Sequence, residues 1–334
     1  MNANVQVIFA KRPEREVTED CFEIRASKLP AVPPGGLVTR NLFLSCDPYM
    51  RGRMGTAKNY AGGFPLDAPI PARVVAQVIE SDTEAIRTGD YVWGFLHWEQ
   101  FSQVKDPARL YKIDPELGPL SHAISVRGMP GLTAEVGMLE LGMPTAEDTV
   151  FVSAASGAVG SVAGQLAHLT GARVIGSAGS DAKVAHLTAN LGFDAAFNYK
   201  TLNPHDALVE LCPNGIDVYF DNVGGPTLDA ALANINPFAR IPVCGQIAGY
   251  NQSKNAVEHL GAMVAARATM TGFIIYDHMH KFDAFLPRMA DRLADGSVRY
   301  FEDIVDGIEN TPRAFIGMMA GDNIGKRLVR IADQ

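Results

Sequence analysis

Between two apolar stretches the chain carries Ala155-Ser156-Gly157-Ala158-Val159-Gly160, a run of small residues with glycines at its third and sixth positions. Such a run lets bare backbone N–H groups approach a phosphate closely, and only where it joins a strand to the start of a helix does it amount to a binding site. Here residues 149–153 read as the strand, and the segment from Ser161 through Leu169 reads as the helix. The turn therefore predicts a dinucleotide, with Gly157 admitting the pyrophosphate and Gly160 letting helix and sheet pack closely. Ala155 stands where the usual fingerprint has its first glycine. About twenty residues on, the second strand ends in Ser177-Ala178-Gly179-Ser180-Asp181-Ala182-Lys183. An NAD site places an acid at that strand end to accept the ribose hydroxyls, and none stands directly there. Asp181 is the nearest acid and is expected as a helix N-cap, whereas Ser180 and Lys183 are types that hydrogen-bond and neutralise a 2′-phosphate. The cofactor expected is NADPH; spacing alone leaves open whether Lys183 serves it or is a solvated helix residue.

The elements that must hold this turn are legible in the pattern around it. Short apolar strands are expected at residues 149–153, 173–177, 195–199, 217–221, 240–244 and 269–275, alternating with segments of helical period. That alternation predicts an α/β domain over residues 123–296 with a doubly wound, six-stranded parallel sheet. Residues 1–122 have another texture, with short β-rich runs at 37–44, 72–79 and 91–95 divided by Pro33-Pro34-Gly35-Gly36 and Thr88-Gly89-Asp90. They predict a β-barrel domain whose first strand lies in the opening residues. A helix is expected at 281–294, after which residues 298–301 and the strand-like 326–331 bring the chain back to the first domain, so that 297–334 complete it.

Composition excludes several functions. With 47% hydrophobic and 20% charged residues over 334 positions the chain is an ordinary globular one, and no apolar run is long enough for a membrane span. A net charge of −8 disfavours nucleic acid as a partner. The four cysteines lie far apart without a C-x-x-C pair, which predicts free thiols in the cytoplasm. His278 and His280 are too few to hold a metal, and neither a hydrolase nucleophile elbow nor the ligand set of a zinc alcohol dehydrogenase is present. No metal is expected.

Several segments together resemble one family, the zinc-independent medium-chain dehydrogenases/reductases that include leukotriene B4 12-hydroxydehydrogenase, prostaglandin reductase and alkenal double-bond reductase. The resemblance lies in residues 44–54 (Leu-Ser-Cys-Asp-Pro-Tyr-Met-Arg-Gly-Arg-Met), 128–134, the phosphate turn, Asp221-Asn222-Val223-Gly224-Gly225, residues 241–245 with Tyr250-Asn251, and 314–317. It implies a GroES-like catalytic domain, completed by the C-terminus, around an inserted Rossmann domain that binds NADPH. It further implies that Gly157, Ala158, Val159 and Gly160 meet the pyrophosphate, Lys183 and Tyr199 the 2′-phosphate, and Asn222 and the segment from Cys244 and Gly245 to Tyr250 further parts of the cofactor. Phe273, Ile274 and Asn323 resemble residues flanking the nicotinamide end. Ala248 stands where relatives often carry Ser.

The reaction implied is reduction of the C=C bond of a small α,β-unsaturated aldehyde or ketone, with hydride to the β-carbon and a proton to the α-carbon. Tyr250 resembles the tyrosine placed near the nicotinamide ribose, where its hydroxyl, or the ribose 2′-hydroxyl it orients, stabilises the developing enolate. Tyr49 and Tyr60 resemble tyrosines lining the substrate pocket. Arg51 and Arg53 read either as attracting an acidic substrate tail or, more plainly, as solvated surface residues. Quinone reduction and NADPH binding without turnover are the competing readings. The apolar 269–275 strand, together with the family's habit, predicts a homodimer.

Overall fold

The computed structural model describes residues 3–56, 62–251 and 256–333. The chain forms two compact units, residues 1–124 with 302–334 and residues 125–301. In the first, β1 (Asn4–Phe9) pairs with β2 (Phe22–Ser27), and β3 (Leu37–Ser45), β4 (Pro71–Ser81), β5 (Tyr91–His97), β6 (Phe101–Val104) and β7 (Tyr111–Lys112) build an antiparallel sheet. Helix α1 (Tyr49–Met54) follows β3, and α2 (Met129–Glu135) opens the second unit. That unit carries β8 (Thr149–Val152), α3 (Gly160–His168), β9 (Arg173–Ala178), α4 (Asp181–Asn190), β10 (Ala195–Asn198), α5 (Pro204–Leu211), β11 (Ile216–Phe220), α6 (Gly225–Leu232), β12 (Ile235–Val243), α7 (Ala262–Ala266), β13 (Thr269–Gly272) and α8 (Phe282–Ala294). The chain then returns to the first unit as β14 (Glu302–Asp306), α9 (Thr311–Ala320) and β15 (Lys326–Arg330).

The first unit is the GroES-like domain. Its centre is β3, which pairs with β4 along its length, with β6 over Leu37–Arg40 and with β15 over Phe43–Ser45. Two register shifts between β3 and β4 bend the pair, as closing a sheet on itself requires. The space inside is filled by Phe9, Leu44, Met50, Met54, Val74, Trp98 and Phe315, all fully or nearly fully buried.

One ion pair ties the returning strand to this core. Lys326, 2% exposed, donates from Nζ to the Cys46 carbonyl at 2.7 Å and to Asp47 Oδ1 at 2.6 Å, and Asp47 also accepts from Ser45 Oγ at 2.6 Å. Burial pushes the Asp47 carboxyl upward, but the charges of Lys326 and Arg73 and the hydrogen bonds more than offset it and hold the group below its ordinary value.

The second unit is the Rossmann domain. Its six parallel strands run in the order β10-β9-β8-β11-β12-β13, so the connections reverse direction between β8 and β11, and the ligand crevice of such sheets lies at that switch. The inner strands are apolar on both faces because helices cover both; Phe151 stacks on Tyr219 at 4.9 Å and on Phe197 at 5.9 Å.

One expected strand, the sixth, ends early for a visible reason. It stops at Gly272, and Ile275–Lys281 form a 3₁₀ turn into α8. The Phe273 ring packs on the π-helical turn Val136–Gly142, where a Cβ on Gly137 would lie 2.7 Å from it. In the returning segment 298–301 the Gln165 side chain serves both backbone groups of Arg299, accepting from its N–H at 2.7 Å and donating to its carbonyl at 2.9 Å. The next strand is β14.

Removing Lys326 should leave Asp47 buried without its counter-ion. Lys326→Met is expected to lower the unfolding free energy by about 3 to 5 kcal/mol at neutral pH, measured by denaturant titration. Because the folded Asp47 titrates below 3.8, the stability it contributes is present above that pH and lost as the pH falls through the lower folded value, so the gap between variant and wild type should narrow in acid.

Candidate active site

The phosphate turn leaves β8 with a strained step. Ala154 has φ +48°, a left-handed conformation that side chains rarely adopt, and its carbonyl accepts the Gly157 N–H at 3.0 Å. The same carbonyl oxygen explains the last glycine. A Cβ on Gly160 would lie 2.6 Å from it, so only glycine lets α3 begin this close to the turn. The Ser161 and Ala163 amides donate to the Gly157 and Val159 carbonyls at 3.0 and 2.9 Å, and the start of α3 carries the positive end of the helix dipole. This cradle of bare backbone fits a pyrophosphate. The substitution of the first glycine has a compensating partner: Ala155 is fully buried, and its methyl lies 3.0 Å from where a Cβ on Gly176 of β9 would be.

At the end of β9 the N-cap of α4 is Ser180, not Asp181 as expected from the sequence. Ser180 has the extended backbone of a cap, φ −159° and ψ 156°, and its Oγ accepts from the Lys183 N–H at 3.4 Å. Asp181 is the first helical residue, and its Oδ1 accepts from Asn198 Nδ2 at 2.8 Å. The reading of Lys183 as a solvated helix residue fails as well, since it is 7% exposed. Tyr199, just past β10, places its hydroxyl 3.0 Å from the Cβ position of Gly179. Ser180, Lys183 and Tyr199 thus gather around one strand end whose nearest acid is engaged elsewhere.

Across the switch point, an aspartate that sequence reading used only as a motif residue organises the loops. Asp221, fully buried at the end of β11, accepts at Oδ1 from Tyr219 Oη at 2.6 Å, from the amides of Gly224 and Val223 at 2.8 and 2.9 Å, and from Ser153 Oγ at 3.4 Å. Its carbonyl accepts the Cys244 and Gly245 amides at 2.8 and 3.1 Å. Burial dominates its titration and raises its pKa despite these donors. Asn222 donates from Nδ2 to the Ser153 carbonyl at 2.7 Å, so it bridges the ends of β8 and β11. Tyr250 follows a 3₁₀ turn after β12, and its hydroxyl lies 3.7 Å from the Cβ position of Gly245. Burial, with Asp221 second, pushes the Cys244 thiol up to about 12, which keeps it protonated. A strand-end acid followed by Asn-Val-Gly-Gly is the signal in the sequence that marks Asp221.

Of the remaining expected residues, Phe273 and Ile274 are half-buried just beyond β13. Tyr49 and Asn323 belong to the first unit: Tyr49 opens α1 with the Arg73 guanidinium 5.9 Å from its ring, and Asn323 donates to the Gly325 carbonyl at 2.6 Å in the turn before β15. Tyr60 lies outside the described residues. Arg51 is not solvated: it is 7% exposed and donates to the Arg15 carbonyl. Arg53 is half-buried at the surface, donating to the Gly62 carbonyl at 3.0 Å with its guanidinium 4.4 Å from the Phe64 ring.

A GroES-like unit carrying an inserted dinucleotide-binding unit defines a medium-chain oxidoreductase. The comparisons agree. Residues 5–113 match the family model described as N-terminal domain of oxidoreductase, and residues 158–291 match the one described as zinc-binding dehydrogenase. Among the described residues, no three His, Cys, Asp or Glu side chains are grouped to hold a metal ion. The chain is 42% identical to a Bacillus subtilis protein named as an NADP-dependent oxidoreductase, over 98% of each chain. It is 41% identical to the NADP(+)-dependent 2-alkenal reductase of Nicotiana tabacum, over 99% of this chain and 98% of that one. The crystal structure of CurA from Vibrio vulnificus in complex with NADPH superposes with a TM-score of 0.91 at 37% identity, over 99% of this chain and all of the other. The chain belongs to the zinc-independent medium-chain dehydrogenase/reductase family, and it is an NADP(H)-dependent oxidoreductase.

If Lys183 holds the 2′-phosphate, its removal must discriminate between cofactors. Lys183→Ala is expected to raise the Kd for NADPH roughly ten- to a hundredfold while that for NADH changes about twofold or less, read by fluorescence titration. Equal losses for both would exclude the role.

Proposed function

We propose that this protein reduces the C=C bond of α,β-unsaturated aldehydes and ketones with NADPH, placing hydride on the β-carbon and a proton on the α-carbon without a metal. The observation that carries this reading is the placement of Tyr250, whose hydroxyl stands beside Gly245 on the loop that Asp221 fixes at the switch point. Bound NADPH supplies the hydride. Addition at the β-carbon leaves negative charge on the carbonyl oxygen, and a preorganised phenol O–H offers a donor to that charge at little reorganisation cost. The α-carbon proton then comes from water or a tyrosine. The names of relatives support this substrate class, the Nicotiana tabacum 2-alkenal reductase foremost.

The cysteines suit such a substrate. An unsaturated carbonyl alkylates thiolates, and burial pushes Cys46, Cys212 and Cys244 each up to about 12, so these thiols stay protonated and inert. All four cysteines are free, as a cytoplasmic protein's would be. Among the described residues no helix is long and apolar enough to cross a membrane.

NADPH oxidation driven by a panel of enals, enones and quinones tests the proposal. Enals and enones are expected to be turned over fastest; faster turnover of quinones would favour quinone reduction, and no turnover with any of them a binding role alone. Tyr250→Phe should lower kcat by about a hundredfold with the Kd for NADPH unchanged. An unaltered kcat would remove Tyr250 from the mechanism.

We also infer a homodimer formed at the β13 edge of the Rossmann sheet. β13 is an outer strand of that sheet, and Val264 in the preceding α7 is 82% exposed. Sedimentation velocity should give twice the monomer mass, and Val264→Glu should shift the population toward monomer; a monomeric wild type would refute the inference.

A further inference from the structure

We propose that the 2′-phosphate site contains a second cation, Lys200, which sequence reading did not single out, and that Asn198 is the residue that positions it. β10 runs parallel to β9 with Asn198 level with Ala178, so Tyr199 and Lys200 pass alongside Gly179 and Ser180. The Tyr199 N–H donates to the Ala178 carbonyl at 3.1 Å and carries the pairing one residue further. Although Lys200 is exposed, its stem is turned back over the strand end. A Cβ on Gly179 would lie 3.3 Å from Lys200 Cε, close to its 3.0 Å distance from the Tyr199 hydroxyl. A phenol and a lysine stem together crowd the side-chain face of this glycine.

Asn198 holds this arrangement from below. It is 8% exposed; its Oδ1 accepts the Lys200 N–H at 3.0 Å, while its Nδ2 donates to Asp181 Oδ1 at 2.8 Å. One amide side chain therefore fixes the backbone that launches Lys200 and occupies the nearest carboxylate, the group that would otherwise accept ribose hydroxyls. A phosphate monoester approaches two negative charges at neutral pH, which Lys183 alone does not balance. Lys183 on the helix side and Lys200 on the strand side offer two ammonium groups to one anion, and charge-assisted hydrogen bonds are the strong ones. The inference rests on the NADP(H) dependence of the chain and is independent of which substrate is reduced.

The test is binding, not turnover. Lys200→Met keeps the stem and removes the charge; it is expected to raise the Kd for NADPH about tenfold and to leave that for NADH within about twofold. In competition against NADPH, 2′,5′-ADP should lose potency on this variant and 5′-AMP should not. Lys200→Arg, which keeps the charge, should retain most of the NADPH affinity. Unchanged NADPH binding by Lys200→Met, or equal losses for NADPH and NADH, would overturn the role of Lys200. Because Asn198 acts through Lys200, the losses of NADPH-over-NADH preference in Asn198→Ala and Lys200→Met should combine less than additively in the double variant. Full additivity, or an Asn198→Ala variant that loses both cofactors alike, would overturn the positioning role.

Discussion

A carboxylate without exposed surface must be surrounded by donors or give up its charge, and Asp221 meets that demand by drawing three strand ends together. Its side chain collects the Tyr219 hydroxyl and the Val223 and Gly224 amides, while its own carbonyl collects the amides of Cys244 and Gly245. Ser153, at the end of β8, joins the same network through Tyr219 and the Asn222 amide. The result is a rigid floor at the switch point, on which Asn222 and Tyr250 are placed. The cost is visible in the raised pKa of Asp221 and in its Oδ2, which has no hydrogen-bond partner among the described residues. A buried polar network that constrains loop geometry is retained for what it positions rather than for net stability.

The same physics recurs with other residues. In the first unit Asp47 is buried with Lys326, and the pair joins the last strand to the turn that leads into α1 and Tyr49. At the end of β9 the solution is reversed: the acid nearest that strand end, Asp181, is given to a neutral amide, and the side-chain face of Gly179 is taken by a phenol and a lysine stem. Cofactor choice in such a fold is an electrostatic decision taken at one strand end, and here it is taken against a bare ribose.

Much of the fold was legible because its periodicities are local. The alternation of apolar strands with helical segments is written in consecutive residues, and so is the strand-turn-helix context of Gly157 and Gly160. What was misjudged depended on partners distant in sequence. The strand expected at 269–275 ends at Gly272, where the Phe273 ring packs on the distant turn Val136–Gly142. Arg51 looks like a surface charge until its burial against the Arg15 carbonyl is known.

The sequence by itself determined the class of ligand, since a phosphate turn needs only small residues at fixed spacing between a strand and a helix, and it determined the family through motifs spread over most of the chain. It also carried the absence of an acid directly at the end of the second strand. Only the tertiary structure decided why Ala155 is tolerated, because the space for its methyl comes from Gly176 on the adjacent strand. It alone made Ser180 the cap, buried Lys183, and set Tyr199 and Lys200 against Gly179. The physical reason is common to all of these. Backbone periodicity is a property of neighbours along the chain, whereas burial, charge pairing and the room for a single methyl group are properties of neighbours in space.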